Sequence, residues 1–370
     1  MNDAAHIKPL TGLRFFAAMW VVLYHYWPNL QVGLSPALVE PALIGKGYLG
    51  VELFFTLSGF ILCHVYLESF GEGRFRYGAF LWNRLARVYP LHLATLLGVM
   101  ALGLAAGAAG FAIDANILSW ESLPANLLLV QAWGLAPQAA FNHPSWSISA
   151  EWFAYLTFPV FAWAAWRLRH RAWLGAALAL GFMAILYPAY TALTGEQLTE
   201  ATIQWGALRI VPCFALGCAM HGLWRSGAVK SLRAGAMGAA FMGAGALMAA
   251  VSGAPDLLAV AGFGGLILCL AGMAEHGSRF ASGQTSVYLG EISYSVYMIC
   301  VPWKLLFVNA ATKLLNTADD RLPWYVWMLF IVSVVPLAAA SYHLIEKPAR
   351  ARMKLLMDSW AKRRSVAPAT

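Results

Sequence analysis

The chain has 370 residues, 60% hydrophobic and 11% charged, with a positive mean hydropathy and a formal net charge of +8. That composition lies outside the range of soluble domains and specifies an integral membrane protein. The positive charge does not mark a nucleic-acid binder, because the Lys and Arg residues cluster beside apolar runs, where they act as orientation signals.

The opening MNDAAHIKPL is short, and no small-residue cleavage site follows the first apolar run, so that run reads as a retained helix. Ten apolar segments occur in order: 10–27, 47–67, 88–112, 146–166, 172–193, 203–224, 234–252, 257–274, 285–310 and 324–346. Each meets the need for about 20 mainly apolar residues to cross a bilayer. With the N-terminus inside, the Lys and Arg of the connections fall on the inner side apart from Lys46, Lys313 and Arg321; Arg14, Arg209 and Lys304 lie within segments. This positive-inside pattern, with an even number of spans, puts both termini in the cytoplasm. The predicted fold is an all-α bundle of about ten transmembrane helices over 1–346, a basic cytoplasmic tail over 347–370, and no appended soluble domain.

The first segment carries Arg14 and His25. Eleven residues at about 100° each bring both to one helical face, about 16 Å apart along the axis. Ionisable residues at membrane depth normally face a protein interior and mark a working site. The alternatives are a snorkelling Arg14 and an interfacial His25 among Tyr24, Tyr26 and Trp27.

The second segment begins with Glu52, which shares a stripe with Thr56, Gly59 and Cys63, a small and polar track suited to close approach by a chain or a ligand. Before the third segment, Arg84 and Arg87 stand three residues apart and share a helical face, as paired guanidinium groups that bind phosphates do; positive-inside arginines are also expected there. The outer stretch 113–145 contains an apolar run too short to cross and reads as interfacial or re-entrant. Glu151 opens the fourth segment, so His25, Glu52 and Glu151 are predicted in one outer layer, where a carboxylate would orient the imidazole as a base. Helix-start carboxylates favoured by the dipole are the plainer reading.

Arg209, in the sixth segment, is a buried cation suited to an outer-layer carboxylate or to a developing anion. In the ninth, Glu291, Tyr294 and Ser295 share a polar face. All five cysteines fall in apolar runs without metal-ligand spacing, so neither a disulfide framework nor a metal site is predicted.

Several stretches together resemble the bacterial membrane acyltransferase type 3 family: the Arg and His of LTGLRFFAAMWVVLYH, GYLGVELFFTLSGFIL, NRLARVYP, WSISAEWFAYLTFP, LRIVPCFALG, EISYSVYMIC and the closing EKPAR. The resemblance implies a multi-pass protein of the bacterial cytoplasmic (inner) membrane that O-acylates surface glycans, lipid-linked sugars or other hydroxyl acceptors, with acyl-CoA, acetyl-CoA in the simplest case, as donor. It makes His25 the catalytic imidazole, Arg14 essential, Glu52 a supporting acid, and Arg84 with Arg87 the acyl-CoA phosphate contact. Glu151 is added as a second candidate partner of His25, and Arg209, Tyr294 and Ser295 as candidate substrate contacts. Relatives often continue the SYS-x-Y segment into a histidine where this chain has Cys300. Without an appended domain, the chain either finishes the transfer itself or hands the acyl group to a separate extracytoplasmic partner. A transporter of a lipid-linked sugar or an anion is the alternative, since midplane charges in a ten-helix bundle also suit a carrier.

Overall fold

The computed structural model describes residues 7–34, 40–110, 117–317 and 322–366, which leaves Arg321 and the first six residues outside the described residues. The described chain is helical, with no strand among the described residues. The long helices are α1 (Lys8–Leu34), α2 (Gly50–Gly71), α3 (Tyr77–Ala108), α4 (Trp146–Arg167), α5 (Ala172–Thr194) and α6 (Gly206–Arg225). Beyond them come α7 (Leu232–Val251), α8 (Asp256–Glu275), α9 (Gln284–Leu315) and α10 (Trp324–Ser341). A π-helical turn, Tyr342–Glu346, then leads into α11 (Lys347–Val366), so the segment expected as a basic tail is itself a helix over its described part.

Among the described residues, eight helices are long and apolar enough to cross a membrane by length and composition; α6 is one of them, whereas α1 and α4 are not. Trp, Tyr and ionisable residues dilute the hydropathy of α1 and α4, and those are the helices that carry Arg14, His25 and Glu151. Local signals set the helix ends. Ser231 caps α7 by accepting from the Ala234 N–H at 3.1 Å, and Gly195 ends α5 at φ 78°, a left-handed conformation that a side chain disfavours.

Polar contacts sort the bundle into two ends. At one, Lys46, Tyr48 and Thr199 all bond to Asp256; at the other, Arg225 pairs with Glu68 at 2.7 Å and Val229 O bonds to His276 at 2.9 Å. The second end holds the starts of α1 and α3 and is called the basic end below.

The helix α1 is central. Its Leu10, Ala17 and Val21 belong to a large apolar cluster with α2, α4, α6 and α8, while Ala18, Val22 and Tyr26 belong to a second with α9 and α10. Protein therefore covers two sides of α1, which is why its polar residues face an interior rather than lipid. The helices α2 and α6 approach closely, so that a Cβ on Gly217 would come within 2.8 Å of the Phe60 nitrogen. Small residues permit such contact, and dispersion over the closely packed backbones then holds the pair.

The segment 117–145 is irregular yet largely buried, with Ser122, Asn126, Gln131 and Asn142 all inside. Tyr89 Oη donates to Leu127 O at 3.1 Å, and the His92 ring bonds to Asn126 O at 2.8 Å. Both partners lie well inside α3, so the segment folds back against the bundle. Non-helical backbone at that depth requires partners, and side chains supply them: Ser149 Oγ donates to Leu129 O at 2.8 Å and accepts from the Ala132 N–H at 3.0 Å, while Asn142 Nδ2 donates to Met298 O at 2.9 Å.

Candidate active site

The sequence-predicted residues separate into two clusters along α1. Nearer the basic end stand Arg14 from α1, Arg84 and Arg87 from α3, Glu151 and Tyr155 from α4, and Tyr294 and Ser295 from α9, joined by Glu346 of the π turn. Arg14 lies within electrostatic reach of Arg87, Glu151, Glu346 and Tyr155. Arg84 stacks over the rings of Tyr66 and Tyr155, at 5.7 and 6.0 Å, and its Nη2 donates a long bond of 3.4 Å to Tyr66 Oη. Its Nε is buried without a hydrogen-bond partner. The aromatic packing holds this guanidinium plane in place without consuming its donors, which suits it to an anion.

The expectation for Tyr294 and Ser295 needs correction. Tyr294 Oη donates to Val88 O at 2.6 Å and Ser295 Oγ to Glu346 Oε2 at 2.8 Å. Their donors are committed to joining α9 to α3 and to the π turn, so they build the frame of the site. Glu291, on the same predicted face, is exposed.

The second cluster surrounds His25, about 16 Å from Arg14 at the rise of an α-helix. Its imidazole meets the His143 ring edge-on, with centroids 6.3 Å apart, and Lys304 Nζ donates to the His25 carbonyl at 3.4 Å. Among the described residues no carboxylate bonds to this imidazole, which corrects the expected partnership with Glu52 or Glu151. Glu151 instead accepts from Ser58 Oγ at 3.0 Å and belongs with Arg14. Glu52 is fully buried and holds Arg209 with two bonds, Nε to Oε1 at 2.5 Å and Nη2 to Oε2 at 3.0 Å. The reason lies in the stripe of Glu52, Thr56 and Gly59, which faces α6 and not α1. Chain, not ligand, takes the close approach, and α6 brings Arg209 with it.

Arg209 has little capacity left for a substrate. Its Nη1 donates to Ala201 O at 3.0 Å, and the guanidinium stacks 4.6 Å from the centre of the Trp146 ring. Trp146 starts α4, three residues after His143. Tyr297 Oη donates to Pro144 O at 2.9 Å and accepts from Ser147 Oγ at 2.8 Å on the same turn. The Glu52–Arg209 pair therefore packs, through Trp146, against the turn that carries His143. Burial lowers the pKa of His143 and keeps this imidazole neutral more readily than a solvated one.

His143, Lys304, Glu346 and Arg350 were not singled out from the sequence as site residues. Only the closing EKPAR stretch pointed at the last two. Cys300, at the position often held by histidine in relatives, is buried and donates to Tyr297 O at 3.0 Å, a packing role within α9. All five cysteines are free. Among the described residues no group of His, Cys, Asp or Glu is placed to hold a metal ion.

Compared with known families, residues 7–343 match the model described as "Acyltransferase domain". Among curated proteins, the chain is 34% identical to acyltransferase MdmB of Streptomyces mycarofaciens over 253 residues, 61% of this chain and 60% of that one. It is 23% identical to O-acetyltransferase OatA of Staphylococcus aureus over 381 aligned positions, 95% of this chain and 58% of the relative. The chain thus spans about three fifths of the length of either relative. No solved structure matches.

Proposed function

Because the chain belongs to the acyltransferase domain family, we propose that it is a multi-pass membrane O-acyltransferase. In this reading it moves an acyl group, acetyl in the simplest case, from acyl-CoA to a hydroxyl of a carbohydrate or lipid-linked acceptor. All ten long helices span the bacterial inner membrane, both termini and the basic end are cytoplasmic, and the acceptor enters from the opposite side. The observation that carries the reading is the pairing, along α1, of a guanidinium cluster whose donors are largely unused with an imidazole about 16 Å deeper. A donor of phosphates and a long thioester arm fits that spacing; a small transported ion does not need it.

Arg84 and Arg87 bind the donor phosphates, and the thioester extends past Arg14 toward His25. The neutral His25 ring accepts the proton of the acceptor hydroxyl as the oxygen attacks the thioester carbon. The tetrahedral oxyanion then collapses, the C–S bond breaks, and the departing thiolate takes the proton from the imidazolium to leave as free CoA. Attack by the imidazole itself, giving an acyl-imidazole that the acceptor then cleaves, uses the same geometry. Arg14 stands with the phosphate-binding arginines, where it adds positive charge along the path of the donor, and Glu151 keeps Arg14 in the site. A separate extracytoplasmic transferase is the recipient if the chain does not acylate the final acceptor.

The test is labelled acetyl-CoA supplied to inverted membranes, with identification of the labelled product. His25→Ala and His25→Gln should keep donor binding and lose transfer. Near-normal transfer by both would refute the assigned role of His25, and solute flux without thioester cleavage would favour a carrier instead.

A further inference from the structure

The C-terminal helix packs onto the cation cluster. A π turn inserts one residue into the helical repeat, rotates the phase of the helix beyond it, and recurs at functional sites. Here it ends at Glu346, which is 3% exposed and bonded to Ser295. Arg350 stands four residues later, on the same helical face, within electrostatic reach of Arg87 and Arg84 as well as of Glu346. Trp82, just before Arg84 on α3, donates its indole N–H to Met353 O at 2.8 Å and ties α11 to α3.

The charges of this region do not balance. Arg14, Arg84, Arg87 and Arg350 face Glu151 and Glu346, and among the described residues none of the four guanidinium groups closes an ion pair. Each offers five N–H donors, and Arg84 has a buried Nε with no partner. Like charges gathered in a partly desolvated place are unfavourable until an anion joins them. Their number and spread over three helices exceed what a single carboxylate can engage, and match a ligand carrying several phosphates.

We propose that Arg350 is a third phosphate-binding guanidinium of the donor site, closing over the CoA phosphates opposite Arg84 and Arg87; this rests on the acyl-CoA reading above. The same phosphate chemistry could come from anionic lipid headgroups, since Lys347, Arg352 and Lys354 of α11 are exposed.

The experiment uses the full chain in vesicles of zwitterionic lipid and, in parallel, vesicles containing phosphatidylglycerol, and follows free CoA release as acetyl-CoA is varied. Arg350→Gln should raise KM for acetyl-CoA about tenfold or more, with kcat within about twofold, the loss expected for a charge-assisted contact. The shift should appear in both lipids. Arg350→Lys should fall between, and Arg352→Gln, a change elsewhere on the same helix, should match the unaltered protein. An unchanged KM in folded Arg350→Gln, beside a raised KM in Arg84→Gln, would overturn this inference and leave the proposed function standing. A shift confined to phosphatidylglycerol vesicles would assign Arg350 to headgroups and also overturn it. Absence of acetyl-CoA cleavage by the unaltered protein would defeat the proposed function itself. If Arg350→Gln does not fold, the KM of Arg350→Lys decides: no rise relative to the unaltered protein counts against the inference.

Discussion

Glu52 and Arg209 provide the sharpest test of the architecture. The carboxylate is 0% and the arginine 2% exposed, and the pair is closed by two bonds at 2.5 and 3.0 Å with a third from Arg209 to Ala201 O at 3.0 Å. Glu52→Gln keeps the shape but leaves a guanidinium uncompensated in an apolar surround. Breaking a buried pair from one side costs about 3–5 kcal/mol, because the remaining charge stays desolvated. Removing both charges as Glu52→Gln with Arg209→Met leaves no orphan ion, so the double variant should lose less than the sum of the singles by about 1–3 kcal/mol. The assay is denaturant unfolding of the purified protein in detergent micelles for the four members of the cycle. Singles that each cost under about 1 kcal/mol, or a double variant equal to their sum, would refute the claim that this pair fastens α2 to α6.

The same contacts carry other expected outcomes. Gly217→Ala drives a methyl group into the α2 backbone at Thr56 and Phe60 and should cost about 1–3 kcal/mol, read as a lowered unfolding midpoint; an unchanged midpoint would mean the helices can separate freely. Arg84→Lys and Arg87→Lys should each raise KM for acetyl-CoA despite conserving charge, because an ammonium cannot reproduce a planar fork, in Arg84 one stacked on two tyrosines; unchanged saturation curves would limit these residues to orientation. Burial depresses the folded pKa of His143 below the usual value of about 6.5, so the unfolded chain takes up the proton first. Its contribution to stability is therefore present above about pH 6.5 and lost as pH falls further, and His143→Gln should flatten the acid side of a midpoint-against-pH curve. A slope identical to that of the unaltered protein would remove His143 from that account.

Most of the long helices were legible in the sequence because each apolar run had to satisfy its own backbone, whereas α1 and α4, diluted by Trp, Tyr and ionisable residues, fall short of a span by hydropathy. Spacing within one helix was equally legible: Arg14 with His25, and Arg84 with Arg87, share faces because of 3.6 residues per turn, and neither pair needs a neighbour to be known. What one helix faces is a different matter. The stripe of Glu52, Thr56 and Gly59 announced close approach, yet whether α1 or α6 filled it depended on which pair of backbones packed best, and α6 brought Arg209 to a carboxylate that had been assigned to His25. Depth along a span placed Glu151 beside His25, while the rotation of α4 turned it toward Ser58 and Arg14. His143 sits in an irregular segment with no periodicity, and Arg350 in a stretch that read as a basic tail; both reach the site through hydrogen bonds to distant helices and a single π turn. Local periodicity fixes which residues share a face, but the partner of that face is chosen by packing among all the helices at once, and only the folded bundle contains that choice.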